Sequence, residues 1–177
     1  NITGTSDAEL VSSMITELSE VLVSENPQVV VFLGDTNTVT GAIAAAQLNI
    51  PIVHIEGCMR SYDWRMPEEK YRTIADHLSD YIYAYLPEYK KQGVAEGIPA
   101  ENIIVTGNPI VDVIQEYFLS GKLRMDDSDL KKLLAEKYNL INSRFLVMTC
   151  HRRENVENIA ALQRILELVS STQLPVL

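Results

Sequence analysis

Charged residues that could carry chemistry cluster in one loop. The loop contains Glu56, Arg60 and Glu68; it follows an apolar strand over residues 51–55 and ends where Pro67 begins a helix. In an open α/β sheet, a loop between a buried strand and a helix N-terminus usually holds the ligand. Glu56 and Glu68 stand at opposite ends of the loop, so both carboxylates can face one cleft. The alternative is a surface network of ion pairs.

Asp35 and His151 also follow strand-like segments. Asp35 comes directly after the apolar run 29–33, and His151 comes after the run 144–149. Asp35 could instead simply cap the following helix. Carboxylates and a histidine at strand exits suit proton transfer, because repulsion between close carboxylates separates an acid from a base. Neighbouring arginines such as Arg60 and Arg152 suit a phosphate or diphosphate, although ion pairing within the protein is an equal alternative.

Apolar periodicity predicts strands and helices in alternation. The predicted strands cover residues 29–33, 51–55, 81–85, 102–106 and 144–149, with a further strand beginning at 174. The predicted helices cover residues 7–24, 39–48, 67–79, 87–97, 109–119, 129–138 and 156–171. Because no hairpin signal separates these elements, the pattern predicts an α/β fold with parallel sheets.

A change in composition divides the chain. Residues 120–142 are rich in Lys, Asp, Leu and Glu and read as a connector. We therefore predict most of an N-terminal domain over residues 1–120, a connector over 121–142 and the start of a C-terminal domain over 143–177. Both ends read as cut, since the chain begins at Asn1 and stops inside a strand-like run at Leu177.

Composition also limits the class of partner. The formal net charge of −9 argues against nucleic acid. The chain has neither an apolar run long enough to span a membrane nor a Walker or dinucleotide-binding glycine loop, so we expect no membrane partner and neither ATP nor NAD as cofactor. Its two cysteines fit neither a zinc motif nor a disulfide scaffold. We expect a cytoplasmic protein without metal or cofactor.

Five motifs in order resemble those of the non-hydrolysing UDP-N-acetylglucosamine 2-epimerases. They are Gly34-Asp-Thr-Asn-Thr38, His54-Ile-Glu56 with Arg60, Met66-Pro-Glu-Glu69 with Arg72 and Asp76-His77, Thr106-Gly-Asn-Pro109, and His151-Arg-Arg-Glu-Asn155. The motifs span nearly the whole chain, which is similar to a middle portion of such a protein. The resemblance implies two Rossmann-like domains in a GT-B-like architecture, incomplete here at both ends.

The resemblance also implies a reaction and a set of residues. UDP would be eliminated from UDP-N-acetylglucosamine to leave a 2-acetamidoglucal, and its return would give UDP-N-acetylmannosamine for surface polysaccharides. Proton transfer would fall to Asp35, Glu56 and Glu68, without a decision on which is acid or base, and His151 would assist the diphosphate. The substrate-binding residues would be Arg60, Arg72, Asn108, Arg152 and Glu154. The full-length protein would be a homodimer, and the 177-residue chain alone would be inactive.

Two departures from the family pattern leave alternatives open. Gly57-Cys58 stands where Ala-Gly is usual, and Tyr71 stands where Asn is usual. Cys58 would be strained if its position requires a positive φ, and Tyr71 could fill part of the cleft. The alternatives are the same chemistry on a UDP-2,3-diacetamido-uronic acid, a GT-B glycosyltransferase, or a UDP-sugar-binding relative without catalysis.

Overall fold

The computed structural model describes residues 4–122, 127–140, 144–151 and 153–177. The chain forms two compact units, Asn1–Asp112 and Val113–Leu177. Helix α5 crosses the boundary between them. Among the described residues, none of the helices combines the length and the apolar character that crossing a bilayer requires.

The first unit contains a four-stranded parallel sheet in the order β1-β2-β3-β4. Its strands are β1 (Val30–Leu33), β2 (Ile52–Ile55), β3 (Tyr81–Ala84) and β4 (Ile103–Val105). His54 lies in register with Phe32 on one side and Ile82 on the other. The four strands predicted for this region are confirmed. Because the strands run in the same direction, their carboxyl ends lie side by side along one edge.

Helices connect the strands, as the alternating pattern predicts. They are α1 (Asp7–Glu25), a 3₁₀ segment (Asn37–Gly41), α2 (Ala42–Gln47), α3 (Pro67–Leu78), α4 (Pro87–Ala95), a second 3₁₀ segment (Ala100–Asn102) and α5 (Pro109–Val113). A capping box starts α1: Ser6 Oγ accepts from Glu9 N, and the Glu9 carboxylate accepts from Ser6 N. Pro67 begins α3 as expected.

Two apolar clusters form the core of this unit. The larger cluster joins α1, β1, α2 and α3 around Phe32, Val39 and Ile52. The smaller cluster contains Ile82, Ile103 and, unexpectedly, Cys58 from the central loop. Tyr71 packs against the larger cluster. Its ring therefore contributes to the core, which gives a structural reason for an aromatic residue at this position.

The second unit is mainly helical. After α5 come a π-helical segment (Ile114–Leu119), α6 (Asp127–Tyr138), α7 (Arg153–Val156) and α8 (Ile159–Ser171). The prediction of a buried strand over residues 144–149 is wrong. Leu146 forms a single parallel bridge with Val176, and Val147 is 79% exposed. An apolar run becomes a buried strand only where neighbouring strands and helices cover it, and the described part of this unit supplies only a short pairing with residues 175–177.

Candidate active site

Polar side chains follow three neighbouring strands. Asp35 comes two residues after β1, Glu56 directly after β2 and Tyr85 directly after β3. Gly34 has φ +75°, and a Cβ atom built on it would lie 3.7 Å from Glu56 Oε2. The Glu56 carboxylate therefore lies close to the turn that carries Asp35. Asp35 and Glu56 are both half-buried at this edge of the sheet.

Arg72 joins Asp35 to helix α3. Its Nη2 forms an ion pair with Asp35 Oδ2, and its Nη1 lies 3.4 Å from Glu69 Oε2. The Arg72 side chain is nearly buried, and its Nε has no hydrogen-bond partner in the described part of the chain. The guanidinium thus fixes the position of Asp35, a candidate proton carrier that lies 37 residues earlier in the sequence.

Glu69 is a buried carboxylate for which the sequence predicted no role of its own. It accepts hydrogen bonds from Ser61 N at 3.0 Å, Ser61 Oγ at 2.9 Å and Tyr62 N at 2.8 Å. Burial raises the pKa of Glu69, but these hydrogen bonds and the charge of Arg72 outweigh it and hold that pKa below its usual value. Glu69 therefore anchors the central loop onto α3.

Glu68 precedes Glu69 on the same helix and has a different environment. It is half-buried and makes neither a hydrogen bond nor an ion pair with the residues that the structure describes. It stands in the first turn of α3, where the helix dipole favours a negative charge. Its carboxylate is therefore available to a ligand, whereas that of Glu69 is occupied.

Tyr85 contacts Glu56 from the adjacent strand. Its hydroxyl donates to Glu56 Oε2 at 3.4 Å. Burial, followed by the negative charge of Glu56, raises the pKa of Tyr85. The phenol therefore keeps its proton and acts as the donor. An aromatic residue at the end of a strand was the only sequence signal for this role.

The backbone of the central loop is strained at three positions. Glu56, Cys58 and Tyr62 have φ values of 72°, 63° and 56°, in the left-handed region that favours glycine. Gly57 between them has no room for a side chain, because a Cβ atom would lie 2.3 Å from Ile82 Cγ2 and 2.6 Å from Asp76 Oδ1. Strain of this kind often marks functional loops.

Cys58 is fully buried beneath this loop. A Cβ atom on Gly93 would lie 2.5 Å from its sulfur, so the thiol occupies the space that this glycine leaves. Burial, followed by the charge of Asp76, raises the pKa of Cys58 to about 12. The thiol is therefore a packing group, and a nucleophilic role does not fit it.

A chain of charged groups lies below the loop. His54 Nδ1 is 2.7 Å from Asp76 Oδ1, and Asp76 also accepts from Cys58 N. His54 Nε2 is 2.8 Å from the carbonyl oxygen of Gly34. Both side chains are completely buried. His54 interrupts an otherwise apolar strand, which was the available sequence signal for a specific role.

Arg60 belongs to the same chain of charges. Its Nη1 is 2.7 Å from Asp76 Oδ2, and its Nη2 is 2.5 Å from Glu96 Oε2. The side chain is only 4% exposed. Of the two roles that the sequence left open, phosphate binding and ion pairing, the structure shows ion pairing within the protein. Glu96, 36 residues further along the chain, had no distinguishing sequence signal.

Four candidates remain, Asn108, His151, Arg152 and Glu154. Asn108 is exposed after β4, and its Oδ1 accepts from Ile110 N at the start of α5. His151 is exposed in the second unit, with Nδ1 3.2 Å from Thr149 Oγ1. Arg152 and the side chain of Glu154 lie outside the described residues. No group of three or more potential metal ligands occurs in the described part of the chain.

Comparison with known proteins identifies the family. The family model for UDP-N-acetylglucosamine 2-epimerase matches residues 1–175. A UDP-N-acetylglucosamine 2-epimerase from Methanocaldococcus jannaschii is 36% identical over 168 residues, which are 94% of this chain and 44% of that protein. A UDP-2,3-diacetamido-2,3-dideoxy-D-glucuronate 2-epimerase from Pseudomonas aeruginosa is 32% identical, over 99% of this chain and 47% of that protein.

A solved structure confirms the fold class. The crystal structure of the M. jannaschii UDP-GlcNAc 2-epimerase in complex with UDP-GlcNAc and UDP matches with a TM-score of 0.83 and 34% identity, over 99% of this chain and 48% of that one. The chain thus spans about half the length of the relatives it matches. With a family model that covers almost every residue, the chain belongs to the UDP-N-acetylglucosamine 2-epimerase family.

Proposed function

We propose that the whole protein interconverts UDP-N-acetylglucosamine and UDP-N-acetylmannosamine. The observation that carries the proposal is the grouping of Asp35 and Glu56 at one edge of the sheet, in a chain of this family. Glu68, which has no hydrogen bond or ion pair among the described residues, lies in the helix that packs beside this edge. A proton carrier is needed on each face of the sugar, and the carboxylates supply them.

The proposed reaction has two halves. A carboxylate removes the C2 proton while the C1–O bond breaks. UDP leaves with the electron pair of the C1–O bond, and the electron pair of the C2–H bond forms the C1–C2 double bond of a 2-acetamidoglucal. Protonation of C2 on the opposite face and return of the UDP oxygen to C1 then give the epimer. Asp35, Glu56 and Glu68 would carry the protons.

The diphosphate requires positive charge. We propose that His151 and Arg152 assist the departing UDP, with Asn108 and Glu154 among the substrate contacts. Arg72 would act on the substrate through Asp35, with which it forms an ion pair. Arg60 would act indirectly as well, since its guanidinium is already occupied by Asp76 and Glu96.

Proton exchange at C2 tests the proposal directly. The whole protein is incubated with UDP-N-acetylglucosamine in heavy water, and C2 is followed by proton NMR. We expect loss of the C2 proton signal together with a UDP-N-acetylmannosamine product. Retention of the C2 proton, with transfer of the sugar to an acceptor, would instead indicate a glycosyltransferase, and binding without exchange would indicate a non-catalytic relative.

Two matched glutamates sharpen this test. Glu68 and Glu88 each follow the proline that begins a helix, α3 and α4 respectively. We expect Glu68→Gln to reduce the exchange rate by about two orders of magnitude or more, since it removes a proton carrier. Glu88→Gln should leave the rate unchanged. Equal rates for the two variants would remove Glu68 from the mechanism.

A second substrate has a specific observation in its favour. The P. aeruginosa relative, which covers 99% of this chain, is named for a diacetamido-uronic acid. The same exchange experiment with that UDP-sugar separates the two candidates. We expect the 177-residue chain alone to show no turnover with either substrate, and turnover would contradict this expectation.

A further inference from the structure

Both ring nitrogens of His54 face oxygen acceptors. The carbonyl oxygen of Gly34, 2.8 Å from Nε2, can only accept a hydrogen bond, so Nε2 must carry a proton. Asp76 Oδ1, 2.7 Å from Nδ1, belongs to a carboxylate that also accepts from Cys58 N and Arg60 Nη1. Nδ1 therefore donates as well. A neutral imidazole has one N–H, so two donated hydrogen bonds require an imidazolium.

The surrounding charges compensate a buried imidazolium. Asp76 on α3 faces His54 directly, Arg60 in the loop faces Asp76, and Glu96 after α4 faces Arg60. The signs alternate along this path, so no buried charge is left without a partner. His77 lies at the outer end of the path, 3.7 Å from Glu96, and is 44% exposed.

This arrangement connects the two loops that carry candidate proton carriers. Gly34 directly precedes Asp35, and its carbonyl receives the Nε2 hydrogen bond. Cys58, two residues after Glu56, donates its backbone N–H to Asp76 at 3.0 Å. The His54–Asp76 pair is therefore hydrogen-bonded to the backbone of both loops. A neutral ring would lose one of these connections.

We propose that His54 is an imidazolium in the folded protein and a positioning residue that fixes the Asp35 turn against the Glu56 loop. Its charge state stands on geometry alone, whereas its effect on turnover rests on the proposed function. The candidate proton carriers on these two loops remain Asp35 and Glu56, and His54 acts through the backbone that positions them.

The electrostatics agree with this assignment. Burial and the nearby positive charge of Arg60 lower the pKa of His54, but the hydrogen bond and charge of Asp76, helped by the Gly34 carbonyl, outweigh them and leave the pKa raised. A raised pKa in the folded state means that the stabilisation is complete below the unfolded pKa and disappears as the pH rises through the folded value. The two loops should therefore loosen on the alkaline side.

Nitrogen NMR tests the charge state without any need for activity. The chain has three histidines, so His77→Gln with His151→Gln leaves His54 as the only one. In a ¹⁵N-labelled sample at pH 7.5, we expect both ring nitrogens to show shifts of protonated imidazolium, with titration only at higher pH. A shift of an unprotonated nitrogen at pH 7.5 would overturn the assignment.

Kinetics on the whole protein test the positioning role. His54→Gln can still donate to the Gly34 carbonyl but no longer bridges to Asp76, and His77→Gln is the matched control. We expect kcat for C2 exchange to fall about 10- to 100-fold in His54→Gln, with KM changed less than about threefold, because small misplacement of reacting groups is costly. The control should match the unsubstituted protein.

The pH profile supplies the decisive comparison. The alkaline fall of kcat in the unsubstituted protein should share its midpoint with the NMR titration of His54 and should be absent in His54→Gln. A folded His54→Gln protein with unchanged kcat would overturn the positioning role. If the unsubstituted protein shows no exchange with either UDP-sugar, the proposed function fails while the NMR result still decides the charge state.

Discussion

At the scale of single residues, Cys58 shows how this chain accommodates a residue other than glycine in the left-handed conformation. Its φ of 63° lies where glycine is favoured. Strain at Cys58 was expected from the sequence if this position required a positive φ. The strain is offset because the side chain joins the apolar cluster of Ile82 and Ile103. At this position backbone strain lowers the stability of the fold and side-chain packing raises it, and substitutions of Cys58 can measure the two effects separately.

Cys58→Ala and Cys58→Gly should differ in stability. Both variants lose the buried sulfur, but only alanine keeps a Cβ atom in the left-handed conformation. We expect Cys58→Gly to be more stable than Cys58→Ala by about 1 kcal/mol in urea unfolding. If alanine proved the more stable of the two, backbone strain at this position would be negligible.

At the scale of elements, the first turn of α3 has two acidic residues with different tasks. Glu69 is saturated with hydrogen bonds from the loop, and Glu68 beside it has none in the described part of the chain. The sequence Pro-Glu-Glu predicts a helix start but does not distinguish these tasks, because adjacent helical residues point about 100° apart and their surroundings come from distant segments.

Glu69→Gln should loosen the central loop. We expect it to lower the free energy of unfolding at pH 7 by about 1–3 kcal/mol, since charged hydrogen bonds to Ser61 and Tyr62 are lost. Because the pKa of Glu69 is lowered, its contribution is present above the unfolded pKa and disappears as the pH falls through the folded value. The difference between the variant and the unsubstituted protein should therefore shrink in acid.

Glu68→Gln is the control for this measurement. It carries the same chemical change one residue away, and we expect little change in urea unfolding at either pH. A large loss of stability in Glu68→Gln, or an unchanged difference between Glu69→Gln and the unsubstituted protein in acid, would contradict the assignment of the two roles.

Sequence patterns predicted the elements of the first unit better than its contacts. The apolar run over residues 29–33 was sufficient to place β1, because local patterning decides where a parallel strand begins. The pairs of Arg72 with Asp35 and of Arg60 with Glu96 were not predictable, since partners so distant in sequence meet only through the tertiary fold. The prediction of a buried strand over residues 144–149 was wrong for the same reason, because burial of a strand depends on segments that are distant in sequence.

At the scale of the whole molecule, the two units differ in how much core they have. Nearly all described apolar side chains that are buried lie between Leu22 and Ile103, and Leu140 is the exception in the second unit. The candidate proton carriers Asp35, Glu56 and Glu68 therefore stand on the better-packed unit, whereas His151 stands on the other.

Hydrogen exchange should reveal this difference in the 177-residue chain. We expect amides of β1 to β4 to exchange at least about 100-fold more slowly than those of α6 and α8, because local opening is easier where few apolar groups are buried. Mass spectrometry of peptides from the two units provides the measurement. Equal protection in both would show that stability is shared evenly along the chain.

The tight packing at Gly57 has a consequence for which substitutions the central loop can accept. In this chain a Cβ atom there would collide with Ile82 and Asp76, so a side chain at residue 57 would force these neighbours to shift. A few residues later, Tyr62 and Trp64 are 74% and 61% exposed and make few demands on the core. The loop thus combines a closely packed base with an exposed rim, so we expect the fold to tolerate substitution of Tyr62 or Trp64 better than a side chain at residue 57.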